Sequence, residues 1–249
     1  MNNISVFDKN VNNVKEAIYA GDNVNARDIY GKTALHSATE DKNYEVVKAL
    51  LEAGANVNAK ERSGATPLHY AVMYSSAPIA DILLSYGANV NAKDDKGRTP
   101  IMYISSLDVL NVLLDNDAKI NLKDKDGSTA LHYTIAQQEH ECSKGLIEAG
   151  ADVNAKDIDG AMPIHLVQKV KDAELLYNNG ADINAKDYNG WTSLHYNCDN
   201  SGYFQVVKFL VEHGADVNAK GKFGTTPYDV AKNNGILKTM DYLEDHGAE

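Results

Sequence analysis

The chain repeats itself at a spacing of about 33 residues, and this periodicity limits its fold more than any other feature of the sequence. Taking the acidic residue before each turn as the first position, six full units run 28–60, 61–93, 94–123, 124–156, 157–186 and 187–220. Residues 1–27 end like the end of a unit and form an N-terminal cap, and residues 221–249 begin another unit and form a C-terminal cap. No linker separates the units, so a single repeat domain over 1–249 is expected. A unit this small cannot bury its own apolar face, so neighbours must stack into a quasi-one-dimensional solenoid.

Each unit reads as hairpin, helix, turn, helix. The first helix opens on Thr33-Ala-Leu-His36, Thr66-Pro-Leu-His69, Thr129-Ala-Leu-His132 or Thr192-Ser-Leu-His195. Threonine is a good N-cap, and proline is favoured just inside a helix because its missing donor costs nothing there. The second helix carries apolar pairs four apart, such as Val46, Val47, Leu50, Leu51 and Val206, Val207, Leu210, Val211, so one face is buried. It ends at Gly54, Gly87, Gly150, Gly180 or Gly214, where a left-handed residue is cheapest as glycine. A run of the type Ala-Asp-Val-Asn-Ala-Lys and an Asp-x-x-Gly turn then lead into the next unit.

At these residues the sequence resembles the ankyrin repeat family over nearly its whole length. The resemblance implies an all-α solenoid of stacked helix-turn-helix repeats joined by β-hairpin loops. It also implies a concave face, made of hairpins and first helices, that binds other proteins, and no catalytic activity.

Residues that might suggest chemistry read as structure. His36, His69, His132, His165 and His195 share one repeat position. Stacking places them about 10 Å apart, too far to share a metal whose ligands lie about 2 Å away. The resemblance implies that each ring bonds loop backbone at the helix start. Asn25, Asn58, Asn91, Asn121, Asn154, Asn184 and Asn218 recur likewise and are expected to satisfy hairpin backbone groups. Glu139-His140-Glu141-Cys142 lacks the spacing that puts two ligands on one helical face. Cys142 and Cys198 fall two layers apart and should be free thiols. There is no glycine-rich phosphate loop and no nucleophile motif. No catalytic, cofactor-binding or metal site is therefore expected, and no cofactor.

The candidate binding residues lie where the repeat framework fixes nothing. At the hairpins these are Tyr30, Lys32, Arg62, Lys96, Arg98, Lys125, Ile158, Tyr188, Trp191 and Phe223. At the ends of first helices they are Glu40, Asp41, Met73, Tyr74, Gln137, Asp199 and Asn200. Exposed aromatic, methionine and isoleucine side chains are the anchors protein interfaces use. Aromatic residues at the Trp191 position are common in ankyrin repeats, where they brace the hairpin. Tyr70, Tyr103, Tyr133 and Tyr196 form a further strip whose expected role is packing between first helices.

Two units depart from the pattern. The third and fifth lack three residues between their helices, near Ser105 and Gln168, so their first helices should be short. The third has Met102 for histidine and Asp117 for the helix-ending glycine, and the fifth has Met162 for the capping threonine. A lost cap costs on the order of 1 kcal/mol, so these should be the soft layers.

Charge narrows the partner. The net charge is −11, with 35 acidic and 24 basic residues of which three are Arg, so a nucleic acid or an anionic membrane is not expected. No stretch free of charge and histidine exceeds 11 residues, too short for a membrane span. With no signal-like start and two cysteines, a monomer in a reducing cytoplasm is expected. The leading function is a protein-binding scaffold. The alternatives are an acidic inhibitor or immunity protein that neutralises a basic partner, and a secreted effector acting in a host cytoplasm. Lysine and asparagine richness, typical of AT-rich genomes such as those of intracellular bacteria and large DNA viruses, motivates the last.

Overall fold

In a computed structural model, which describes residues 5–249, every threonine expected to open a first helix does so. The first four residues of the N-terminal cap lie outside the described residues. The chain divides into two compact units, Met1–Lys125 and Asp126–Glu249.

The first unit contains α1 (Val11–Tyr19), α2 (Ala34–Glu40), α3 (Tyr44–Glu52), α4 (Pro67–Met73), α5 (Ala77–Ser85) and α6 (Leu107–Asp115). Helix α2 packs against α3 and α4, and α5 against α6. Its core is aliphatic, with Leu35, Leu50, Leu68, Ile79, Leu83, Ile101, Leu110 and Leu113 fully buried. The second unit contains α7 (Ala130–Ala136), α8 (His140–Glu148), α9 (Val170–Asn178), α10 (Ser193–Asn197), α11 (Phe204–Glu212), α12 (Pro227–Asn233) and α13 (Leu237–Asp245). Leu131, Ile135, Leu146, Ile164, Leu176, Leu194, Leu210 and Leu243 form its core. Both cysteines are free and buried there, and burial pushes the thiols up, Cys142 to about 11 and Cys198 to about 12.

The repeated histidines close the helix starts and join neighbouring repeats. The Thr33 N–H donates to His36 Nδ1 at 3.1 Å, a capping box with histidine in the role usually taken by glutamate. The opposite ring nitrogen reaches the next repeat, at Ala65 O for His36 (3.2 Å) and Arg98 O for His69 (3.1 Å). In the second unit His132 bonds Ala161 O and His195 bonds Thr225 O in the same way. In the C-terminal cap Asp229 replaces the histidine and accepts from Thr226 N–H at 2.9 Å.

The hairpins are turns rather than strands. The Asp28 carboxylate accepts from the N–H groups of Tyr30 and Lys32, both at 2.8 Å, and backbone Asp28 N–H donates to Lys32 O. One further bond stitches each tip to the next, such as Arg62 N–H to Tyr30 O (3.1 Å) and Tyr188 N–H to Asp159 O (2.9 Å). One bond per neighbour is too sparse for a ladder. The expected β-hairpins are thus reduced, among the described residues, to one isolated bridge between Arg27 and Thr33. Glycine is needed in these turns for two reasons: Gly160 has φ +78°, and a Cβ there would lie 2.7 Å from the Tyr188 ring.

The recurring asparagines also differ from expectation in their partners. Asn58 donates to Gly87 O (2.9 Å) and accepts from Asn89 N–H (2.7 Å), so it ties down the turn after the next second helix and not a hairpin.

The two deletions convert first helices into single 3-10 turns, Pro100–Tyr103 and Pro163–Leu166. Asp117 takes the left-handed conformation at φ 61°, which costs a non-glycine residue about 1 kcal/mol. Amides of residues 102–116 and 164–177 should therefore exchange with solvent faster than those of 35–51 and 194–211. Hydrogen exchange followed by mass spectrometry checks this. Uniform protection would show that contacts with neighbouring repeats make up for the lost turn.

Candidate protein-binding face

In the six full repeats an acidic residue at the hairpin start satisfies the turn backbone, and in the C-terminal cap Gly221 closes the turn through backbone bonds alone, so the tip side chains are left free to point outward. Tyr30, Ile158, Tyr188 and Phe223 are 59%, 63%, 65% and 90% exposed. Arg62, Lys96 and Lys125 are exposed at the tips as well, their backbones held by the stitching bonds.

In the first unit several of the expected residues converge. Lys32 Nζ lies 2.7 Å from Glu40 Oε2 and 4.9 Å from the Tyr70 ring centre, and the Tyr74 hydroxyl donates to Glu40 Oε1 at 2.7 Å. The Lys32 and Tyr74 hydrogen bonds hold the Glu40 carboxyl below its usual range. Burial opposes the charge on Lys32, but Glu40 and Tyr70 together outweigh it and hold the ammonium above its usual range. Tyr74 stacks on Tyr70, Met73 is exposed beside them, and Asp41 pairs with Lys9 at 2.7 Å. Tyr70 thus joins the cluster although its position reads as packing. The cross-repeat meeting of Lys32, Glu40 and Tyr74 leaves no local signal in the sequence.

Arg98 does not stand free. Its guanidinium pairs with Asp94 Oδ2 (Nη2 3.0 Å, Nε 3.1 Å) and lies 4.7 Å from the Tyr103 ring centre. Burial raises the Asp94 carboxyl, yet the Tyr103 hydroxyl and Arg98 together hold it below its usual value.

In the second unit Gln137 is exposed at the end of α7, Asp199 accepts from Asn234 Nδ2 at 2.7 Å, and Asn200 accepts from Gly202 N–H at 2.8 Å. Trp191 is half-buried, stacked on the His195 ring at 5.6 Å and edge-on to Tyr196 at 5.4 Å. It braces the hairpin while its outer edge lines a recess of about 340 Å³ with Tyr196 and Phe223. The truncated fifth repeat leaves a second recess, about 180 Å³, lined by Ala136, Leu166, Gln168, Asn197 and Tyr203 among others. These residues were not among the candidates, although the three-residue deletion that creates the recess is visible in the sequence.

Both ring nitrogens of the repeated histidines are engaged in hydrogen bonds, and the thiols are buried with raised pKa values. Among the described residues no group of three or more His, Cys, Asp or Glu could hold a metal ion, and no helix is long and apolar enough to cross a membrane.

Stacked helix pairs whose variable side chains project from anchored turns define a repeat solenoid built for contact with other macromolecules. A family described as ankyrin repeats (3 copies) matches residues 3–94, 88–157 and 164–249, and the chain belongs to the ankyrin repeat family. It is similar to the ankyrin repeat protein OPG189 of vaccinia virus (strain Copenhagen), 46% identical over 55 residues, covering 22% of this chain and 10% of that protein. The variola virus OPG189 (isolate Human/India/Ind3/1967) is 31% identical over 121 residues, 45% of this chain and 21% of that protein. The chain thus spans about a fifth or less of these curated relatives. Among solved structures, the ankyrin repeat domain of Bcl-3, a member of the IkappaB family, aligns with a TM-score of 0.71 and 30% identity over 86% of this chain and 99% of that one. Ankyrin repeats are generally protein–protein interaction modules and are typically non-enzymatic.

Proposed function

We propose that this chain is a non-catalytic scaffold that binds a partner protein through its hairpin tips and first helices, as a monomer in a cytoplasm. The observation that carries the reading is the exposed apolar tips, Tyr30 in the first compact unit and Ile158, Tyr188 and Phe223 in the second, each on a turn whose backbone is tied to its neighbour. Rigid aromatic anchors lose little entropy on binding and supply most of the energy of an interface. Tyr30→Ala and Tyr188→Ala should each weaken capture of the partner by about 1 to 3 kcal/mol with little change in melting temperature. Isolation of the partner from native lysate, followed by titration calorimetry with these variants, makes the test. Unchanged affinity in both would move the binding face elsewhere.

A second reading, an inhibitor of a basic protein, is favoured by the net charge of −11. It requires an association rate that falls steeply with salt while the dissociation rate changes little. Similarity to repeat proteins of vaccinia and variola viruses supports a host cell as the setting for either role.

A further inference from the structure

The third and sixth repeats build the same carboxylate–tyrosine arrangement and differ in the residue four positions after the carboxylate. In the third, Asp94 Oδ1 accepts from the N–H groups of Lys96 (2.8 Å) and Arg98 (2.9 Å), and Oδ2 accepts from the Tyr103 hydroxyl (2.6 Å). In the sixth, Asp187 Oδ1 accepts from Asn189 N–H (2.8 Å) and Trp191 N–H (2.8 Å), and Oδ2 accepts from the Tyr196 hydroxyl (2.7 Å). The third repeat completes this set with its own cation, the Arg98 guanidinium, which neutralises Asp94 and lies over Tyr103. In the sixth repeat Trp191 occupies the position of Arg98. Asp187 is 5% exposed, and among the described residues it has no ion pair, nor does any lysine or arginine lie over the rings of Trp191, Tyr196 or Phe223. Lys186, whose charge reaches His195, is held on Lys220 O at 3.0 Å.

The uncompensated charge is felt at the recess. Burial, the Asp187 hydrogen bond and the charges of Asp187, Asp157 and Asp159 all push the Tyr196 hydroxyl well above the usual tyrosine range. Two aromatic walls set at 71° and an exposed Phe223 edge, with Asn189 and Thr225, line an open recess of about 340 Å³. Aromatic faces attract cations, and a planar, weakly hydrated guanidinium stacks on them more readily than a strongly hydrated ammonium.

We propose that the recess formed by Trp191, Tyr196 and Phe223 docks an arginine side chain of the partner protein, placing from outside the guanidinium that Arg98 supplies internally in the third repeat. The proposal rests on the protein-binding reading and names the partner's chemistry: a basic segment that presents arginine.

Trp191 is the one tryptophan of the chain, so its fluorescence reports on this recess alone. Titration with acetyl-Gly-Arg-Gly-amide should perturb it at least about 5-fold more tightly than the uncharged citrulline analogue, and more tightly than the lysine analogue. Phe223→Ala, at a 90% exposed position, should weaken arginine-peptide binding about 5-fold and leave the fold intact. Trp191→Arg, followed by NMR, should abolish binding by completing the set internally. Equal affinities for the arginine and citrulline peptides, equal affinities for the arginine and lysine peptides, or binding unaffected by Phe223→Ala would each overturn the proposal. Because the probe is a short peptide, such a failure alongside partner capture that still needs Tyr30 and Tyr188 would leave the scaffold reading intact.

Discussion

Replacing His69 by alanine is expected to lower the unfolding free energy by about 3 to 5 kcal/mol. The ring is completely buried, and it accepts from Thr66 N–H at 3.1 Å while its Nε2–H donates to Arg98 O at 3.1 Å. The first of these partners lies in its own repeat and the second in the next. Alanine leaves the Thr66 N–H buried and unpaired, at about 1 to 3 kcal/mol, takes one of two bonds from Arg98 O, which still accepts from Asp94 N–H at 2.9 Å, and opens a cavity between two layers. Because repeat stability is a sum of unit and interface terms, the loss falls on both kinds of term at once. Urea titration near neutral pH measures it. A loss below about 1 kcal/mol would mean that water replaces the ring in both bonds.

Acidification should destabilise the protein well before its carboxylates titrate. Nδ1 of His36, His69 and His195 must offer a lone pair to a backbone N–H, so each of these rings has to be neutral. Burial first of all lowers the pKa of His36, from an ordinary 6.5 to about 4, and shifts His69 and His195 in the same direction. An unfolded chain takes up a proton near pH 6.5 that the folded chain refuses until about pH 4. The unfolded state therefore binds more protons within that window, and stability falls as the pH falls through it. His36 alone accounts for about 3 kcal/mol by the lower limit, with His69 and His195 adding in the same sense. Glu40, Glu61 and Asp94, whose pKa values are depressed in the fold, contribute stability that is present above their unfolded pKa values and lost on further acidification. Urea midpoints measured from about pH 7 down to about pH 5 should decline steadily. A flat profile, or histidine resonances of the folded protein that titrate at their ordinary value, would refute the neutral ladder.

Short-range features were legible in the sequence. The threonine that caps a helix and the histidine three residues on touch within one turn, so Thr-x-x-His by itself specifies the helix start. Three missing residues between helices reduce Pro100–Tyr103 and Pro163–Leu166 to single turns by simple chain length. The turn carboxylates act over two to four residues, so the exposed tips Tyr30, Ile158 and Tyr188 could also be read from position alone, as could Phe223 on its glycine turn.

Interactions between repeats were decided by the tertiary structure. Asn58 meets Gly87 and Asn89, Lys32 lies over Tyr70, and Tyr74 reaches back to Glu40, each about 30 residues away in the chain. Such pairings depend on the register in which one layer sits on the next, and a deletion shifts that register without changing any local motif. His165 shows this: the fifth unit is three residues short, and its ring bonds Ala185 O instead of the hairpin carbonyl that His36 and His69 reach in the following unit. The charge of Asp94, by contrast, is a local matter: its cation Arg98 lies four residues on in the same hairpin, where the hairpin of Asp187 has Trp191. The sequence determined the repeating unit because its bonds close within a few residues. Only packing between units decided which groups of one layer meet the next, as Asn58 meets Gly87 and Tyr74 meets Glu40, because those bonds close across layers.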